Sequence, residues 1–463
     1  MKLELDETPF AGVGAAVGPD GHHNPVSFWH ETVTVSPTPA LAEHTTCDVA
    51  IVGGGFTGLT TAIYLKKYKP DWDVVVLERA VCAHGASGRN GGFAMPLIGW
   101  DLLYAVEKLG LEAGGEAYRF MYGAVAHLKE MVKEHGIVCD LEETGYILLN
   151  TCARREARAK RELAASHKLG FDHVWLEGAS LEEHIKSTRF RSGIFDPHPC
   201  IINPAKLARG LKEVAERLGV RVYEQSPLQE LVDGAPVTLK TANGSVKAPR
   251  VVMAVNGYGA SLGFKKSRIL PVHTYIVLTE PLTQAQLEEI GWAKKRASLE
   301  TARNFIHYFR LTADNRILFG GEDAELFYGG AYHDRFERIF VDLKRAFYEM
   351  FPALRDVRIT HQWGGVLGVT MDMFPTFGVG GDKGTIYHAA GYSGHGVSLA
   401  NYAGKVLAPK ILADAGVRDL PPSPGLPFFW NREPMWLPPD PLRYAGMRVY
   451  RQALRAQDVL EGA

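Results

Sequence analysis

The sequence predicts an α/β chain, α+β overall. A Rossmann-like dinucleotide-binding domain is interleaved with a second domain built on a mixed, largely antiparallel sheet. Three observations predict it. A strand, glycine turn, helix and second strand follow one another from Cys47 to Glu78. A second glycine-rich turn joins a strand to a helix at Ala389–Ala400. Between them, "HTYIVLTE", "FIHYFRLT" and "RILFGG" are aromatic strands with the alternation of an antiparallel sheet with one covered face. With 463 residues the chain is long enough for two or three folding units.

Residues 1–44, rich in Gly, Pro, His and Thr, are expected to be an irregular surface arm. The strand "CDVAIV", the helix Thr57–Lys67 and the strand "DVVVLE" then form a βαβ unit. Residues 101–135 carry helical spacing. The charged run Arg154–Leu169 predicts a helix with a solvated face. Ile202–Glu224 is a helix and then a strand, and an Asn243-Gly244 turn closes a hairpin before the buried strand "VVMAV". A helix is expected over Asp334–Met350, and another near Leu442–Leu454 in the proline-rich tail. These elements divide the chain into an arm (1–44), a discontinuous nucleotide domain (45–100, 195–260, 357–420), a substrate domain (101–194, 261–356) and a tail (421–463) that wraps its own subunit.

Composition excludes several classes. Lysine plus arginine (51) balances aspartate plus glutamate (52), so no global field draws in nucleic acid or an anionic membrane. The five cysteines are scattered and form no C-x-x-C pair, so neither a disulfide framework nor a metal site is expected. No apolar run approaches the ~18 residues of a membrane span. The charged start "MKLELDETPF" is not a signal sequence, and a cytoplasmic enzyme is expected.

The first motif, "IVGGGFTGLTTA", has Gly53, Gly55 and Gly58 in G-x-G-x-x-G spacing. Gly53 turns the chain, Gly55 lets a pyrophosphate approach, and Gly58 packs the helix on the sheet. The helix N-terminus offers N–H donors to phosphate. Glu78 ends the second strand, where an acid binds ribose hydroxyls. This selects a dinucleotide and leaves NAD and FAD open. The second motif, "GASGRNGGF" (Gly85–Phe93), supplies backbone donors and one cation. In the third, "AAGYSGHGVSLA", a helix start can face the pyrimidine edge of a flavin, where reduction places negative charge.

Together these motifs resemble the D-amino acid oxidase superfamily of flavoproteins. "GASGRNGGF", "WGGVLGVTMDMFPTFG" and "GYSGHGVSLANYAG" are most similar to its gamma-glutamylputrescine oxidase group. The resemblance runs from about Pro25 to the tail. It implies an FAD domain of the glutathione-reductase type. Gly53, Gly55, Phe56, Thr57 and Gly58 would hold the pyrophosphate, and Glu78 and Arg79 the adenosine ribose. Ser87, Arg89, Asn90, Gly91 and Gly92 would lie along the ribityl chain and flavin. Leu228 would meet adenine, and Gly394, His395, Gly396 and Val397 the pyrimidine edge. Some members tie FAD to a cysteine after the Trp-Gly-Gly segment. Val366–Met373 has none, so non-covalent FAD is expected. Members that oxidise α-amino acids clamp the carboxylate with arginines, and the matching positions here are Leu367 and Ser393. This favours an amine without an adjacent carboxylate, unless Arg310 or Arg316 takes that role.

The expected activity is FAD-dependent oxidation of a small-molecule amine, gamma-glutamylputrescine or another. Hydride leaves the carbon next to nitrogen, and oxygen or another acceptor takes the electrons onward. An oxidase or dehydrogenase of a D-amino acid or N-methyl amino acid is the alternative. An NAD-dependent dehydrogenase and a flavin protein without turnover are the competing classes. No essential base is needed. The substrate-pocket candidates are His395, Tyr308, Arg310 and Trp363, with Tyr275 and His307 beside them.

Overall fold

Six strands form the sheet of the nucleotide half. Their order is Arg221–Tyr223, Val74–Leu77, Val49–Val52, Arg250–Met253, Ile386–Ala390, Thr376–Gly380. All neighbours are parallel except the last pair. Val49–Val52 and Val74–Leu77 are buried at every position, as strands covered on both faces must be. Helices Phe56–Tyr68, Pro204–Arg217 and Gly396–Asp414 share a core with one face. On the other face Leu231, Leu239 and Val246 of a separate five-stranded sheet pack against Ala50, Val75 and Val251. This computed structural model describes residues 1–10, 26–420 and 422–462.

The expected surface arm is corrected where it is described. Lys2–Glu4 pairs with Glu230–Val232, and His44–Thr46 with Ser245–Ala248, at the two edges of the five-stranded sheet. Trp29 and Leu41 are buried, because each apolar side chain fills space that the rest of the chain leaves open. The remainder of that arm, 11–25, lies outside the described residues.

Eight strands form the second sheet, in the order Ile359–Val369, Leu270–Thr279, Ile317–Gly321, His307–Leu311, Ser298–Thr301, Tyr146–Asn150, Ser192–Asp196, Val174–Glu177. One neighbouring pair, Ser298–Thr301 with Tyr146–Asn150, is parallel. Helix Glu337–Met350 covers one face through Phe340, Leu343 and Phe347, which join Phe309 and Phe319 in an aromatic core. The other face turns toward the nucleotide half.

Two boundaries change. Ile359–Val369, expected within the nucleotide segment 357–420, pairs with Leu270–Thr279 along its length. Phe195 and Asp196, expected to open the segment 195–260, sit in the eight-stranded sheet opposite Ile147 and Tyr146. A strand's periodicity shows that it is a strand, whereas its partner is a long-range choice.

Residues 101–135 form two helices, Leu102–Leu109 and Leu111–His135. Gly110 separates them with φ 87°, a conformation that costs glycine little. Helix Ala153–Lys168 has the solvated face expected of its charge, with Arg154, Lys160 and Arg161 exposed, and its other face turns inward. Arg155 is largely buried and meets Asp458 at 3.2 Å and Glu461 at 2.7 Å. Both acids belong to the tail helix Leu442–Glu461, which runs beyond its expected end. Asp458 also accepts hydrogen bonds from the Asn304 and Phe305 N–H groups at 2.9 and 3.0 Å.

Helices Phe56–Tyr68 and Gly396–Asp414 cross at Gly404. A Cβ there would lie 2.4 Å from the Thr60 carbonyl carbon. Gly404→Ala should therefore destabilise the protein by about 1–3 kcal/mol through overpacking, although alanine is the better helix former. The check is a lower urea midpoint with an unchanged slope.

Candidate active site

The strand ending at Val52 meets its helix through a turn with almost no free space. A Cβ on Gly58 would lie 1.9 Å from the Gly53 carbonyl oxygen, and one on Gly53 2.5 Å from that of Ala254. Phe56 and Thr57 are buried in the first turn of the helix. The Phe56 N–H donates to Ser87 Oγ at 3.0 Å, which ties the first glycine motif to the second. Thr57 Oγ1 shares a 2.6 Å hydrogen bond with the Tyr392 hydroxyl, which ties it to the third. The Glu78 carboxylate accepts from the Gly54 N–H at 2.7 Å and the Ala80 N–H at 2.9 Å, so it is held at the mouth of the turn. Arg79 lies outward, with its guanidinium 3.4 Å from the centre of the Phe10 ring and an ion pair to Glu7. Leu228 is buried beside Leu231 and Val75.

A cavity of about 580 Å³ lies between this half and the eight-stranded sheet. Arg89, Asn90 and Gly91 line it from the second motif, and Gly365, Val366 and Leu367 from the long strand. Ser393, Gly394, His395 and Val397 line it from the third motif. Gly394, at φ 92°, leaves its surroundings open: a Cβ there would meet only Leu367, at 3.8 Å. Next to it the helix Gly396–Asp414 begins, with the unpaired N–H groups and positive dipole end of any helix start. The buried His395 Nδ1 has no hydrogen-bond partner among the described residues. Burial holds the imidazole down at about 4, so it is neutral at neutral pH. Arg89 is buried and fixed. Its Nε donates to the His84 carbonyl at 2.8 Å, and its Nη1 meets Asp334 at 2.5 Å. Gly92, at φ 77°, is closed off by the Ile202 carbonyl and does not line the cavity.

The substrate candidates separate. Tyr308 lines the cavity with its ring laid across Gly320, where a Cβ would come within 2.3 Å of it. Trp363 lines it too, and its Nε1 donates to the Arg89 carbonyl at 2.8 Å. Arg310 does not reach the cavity, which corrects its place among the pocket residues. Its guanidinium stacks 5.0 Å from the Trp29 ring centre and sits 3.5 Å from the Gly92 carbonyl. Burial lowers it to about 10. The cause lies in the arm, whose Trp29 fills the space that the arginine would otherwise face. His307, on the opposite side of the strand from Tyr308, pairs with Glu322 at 2.7 Å. Tyr275 belongs to the aromatic core behind the sheet. Arg316 pairs with Asp314 and stacks over Phe28, away from the cavity.

Other lining residues were not expected. The strand register builds a row across the sheet: Trp363 opposite Ile276, Ile276 opposite Gly320, Gly320 opposite Tyr308, Tyr308 opposite Glu300, Glu300 opposite Leu148, Leu148 opposite Ile194. Directly opposed residues share a face, and every side chain in the row lines the cavity. Glu300 follows the core residue Leu299 in "SLET", so alternation turns it to the other face of the sheet, and only the docking of the nucleotide half makes that face a cavity wall. At the far end, the Tyr122 hydroxyl donates to Asp196 at 2.8 Å and lies 2.7 Å from His173 Nε2. Glu162, from the inward face of helix Ala153–Lys168, also lines the cavity, and burial raises it to about 8. Tyr444, Met447, Arg451 and Leu454 of the tail helix complete the wall.

Residues 48–409 match the family described as FAD dependent oxidoreductase. The chain belongs to this family. Gamma-glutamylputrescine oxidoreductase of Escherichia coli (strain K12) is 31% identical over 82% of this chain and 87% of its own. Sarcosine oxidase subunit beta of an Arthrobacter species is 26% identical over 73% of this chain and 84% of its own. The crystal structure of glycine oxidase from Geobacillus kaustophilus superposes with a TM-score of 0.67 at 20% identity, covering 80% of this chain and 95% of that one. The family's cofactor is FAD, and the chain is an FAD-dependent oxidoreductase of the α/β class expected from its motifs. The residues present fit the group: a glycine turn without side chains, a fixed acid at the strand end, and an open turn before a helix start. No helix among the described residues is long and apolar enough to cross a membrane.

Gly58→Val places branched carbons where even a Cβ meets the Gly53 carbonyl. Flavin affinity should fall at least ~10-fold, read as loss of visible absorbance in the purified protein. Asp458→Ala leaves the Asn304 and Phe305 N–H groups without their acceptor. Exchange protection of the tail helix should fall by about 10–100-fold at a cost of ~1–3 kcal/mol, with flavin content unchanged.

Proposed function

We propose that the chain oxidises an amine with no carboxylate on the reacting carbon, of the gamma-glutamylputrescine type. One observation carries this reading. Leu367 and Ser393 stand in the cavity wall where a carboxylate clamp would sit, and Arg89, the nearby guanidinium, is already paired with Asp334. Along the rest of the wall carboxylates outnumber arginines, which suits a cationic substrate. The name of the E. coli relative points the same way.

FAD, when bound, accepts the hydride from the carbon next to nitrogen, leaving an imine that water hydrolyses to an aldehyde or ketone and an amine or ammonia. We assign its non-covalent hold to the turn Gly53–Gly58, Glu78, Arg79, Leu228, the Ser87–Gly92 loop and the Gly394–Val397 turn. None of the five cysteines lines the cavity. Tyr308 and Trp363 give the amine an apolar wall, which lowers its pKa and favours the neutral form that can release hydride. His395 stays neutral and adds no repulsive charge beside it. The tail helix excludes water from the outer wall. Oxygen or another acceptor takes the electrons onward. The free cysteines suit a reducing cytoplasm.

Arg303 favours a second reading, oxidation of a D-amino acid or N-methyl amino acid. It lines the cavity, and its buried Nε has no hydrogen-bond partner among the described residues. One experiment separates the two. Under anaerobic conditions gamma-glutamylputrescine should bleach the flavin absorbance near ~450 nm, the change expected of a cofactor that accepts hydride, while sarcosine and D-alanine should leave it. Bleaching by the amino acids alone would replace the amine reading with the second one.

A further inference from the structure

The cavity is longer than a reacting amine and its flavin contact require. It runs across the sheet from Trp363, beside the Arg89 loop, to Leu148 and beyond. Four strand spacings separate Trp363 from Glu300, roughly 19 Å of sheet at ~4.8 Å per strand. Within this row Glu300 is the one charged residue. Its neighbours across the sheet are Tyr308 and Leu148, both lining the cavity. Tyr146, two residues before Leu148 and on the same face, presents a hydroxyl to the Glu300 side chain.

Other carboxylates of the wall have partners. Glu322 meets His307, Glu325 meets Arg451, Asp323 meets Arg455, Asp196 meets His173 and Asp101 meets Arg158, while Glu162 accepts from the Leu102 N–H and lies in the field of Arg158. Glu300 has no such cation. Among the described residues the Tyr146 hydroxyl is the one group that favours its ionised form, against burial. A carboxylate placed in a mostly apolar wall without a counter-ion is costly unless something else supplies the positive charge.

We propose that Glu300 binds a second, non-reacting ammonium group of the substrate, so that the enzyme selects amines carrying two cationic nitrogens on one extended chain. This rests on the amine reading above and narrows it. The reacting nitrogen lies at the Trp363–His395 end, and the second nitrogen donates to the Glu300 carboxylate beside Tyr146. A monoamine of equal length leaves that carboxylate unpaired. Glu300 is a specificity-determining residue and takes no part in hydride transfer.

The test uses the holoenzyme and two matched pairs of amines. One pair is gamma-glutamylputrescine and its glutaryl analogue, which lacks only the α-amino group. The other is 1,12-diaminododecane and dodecylamine, a chain long enough for its two nitrogens to approach the span between the Trp363 end and Glu300. In the parent enzyme the member with the second ammonium should have a kcat/KM about 10–100-fold higher, the worth of a charge-assisted hydrogen bond. Glu300→Gln keeps the shape and removes the charge. It should erase that preference, and the loss should appear in KM rather than in the rate of flavin reduction at saturation with the doubly cationic member. Glu300→Asp should restore part of the preference.

A pH profile gives a second readout. Burial pushes the Glu300 carboxyl up to about 7, and among the described residues Tyr146 and Tyr308 are the titratable groups that interact with it. Below that pH the carboxyl is neutral and loses its hold on the ammonium. The doubly cationic substrate should therefore show a fall in kcat/KM on the acid side that Glu300→Gln lacks. Equal turnover of both members by the parent, or an undiminished preference in Glu300→Gln, overturns the inference and leaves the amine reading standing. Failure of all four amines to bleach the parent's flavin overturns both.

Discussion

Two backbone contacts without side chains set the geometry on which the rest of the structure depends. At Gly58 the helix Phe56–Tyr68 presses on the Gly53 carbonyl, and at Gly404 the helix Gly396–Asp414 presses on the carbonyl carbon of Thr60. Both helices lie on the same face of the parallel sheet, and both begin beside the cofactor turn motifs. Their separation is therefore fixed by backbone, which cannot repack as side chains do. The two positive helix ends stay aimed at one region. The Phe56–Ser87 and Thr57–Tyr392 hydrogen bonds then lock the three glycine motifs to one another.

The eight-stranded sheet supplies the opposite wall, and its two faces do different work. The face under helix Glu337–Met350 is an aromatic core that keeps the sheet rigid. The other face presents its side chains to the cavity at the strand spacing. Residues on neighbouring strands thus become steps along one wall, from Trp363 past Tyr308 to Glu300. The tail helix closes this wall from outside. Its anchor is unusual for a chain end: a buried aspartate holding two backbone N–H groups and an arginine of a distant helix.

The charges in the cavity follow the same division. Near the cofactor motifs they are neutralised or absent: Arg89 is paired with Asp334, and His395 is kept neutral by burial. Further along the wall carboxylates are kept, several of them against strong desolvation. In the proposed reading, an amine sheds its proton at the first end and meets a negative charge at the second.

Much of the nucleotide half was legible, because its chemistry is local. A glycine turn between a buried strand and a helix needs residues at fixed offsets, and Gly53, Gly55, Gly58 and Glu78 lie close together in the chain. The elements themselves also followed from periodicity. Partnership did not. Ile359–Val369 joined the other sheet, Trp29 displaced Arg310 from the cavity, and the charged helix turned Arg155 and Glu162 inward. Each of these depends on a partner that arrives from far along the chain. The sequence by itself determined the cofactor class, through spacings that a dinucleotide imposes on a few adjacent residues. Which side chains line the cavity was decided by strand register and by the path of the arm and the tail helix. Those are long-range packing choices, and the local pattern of residues carries no record of them.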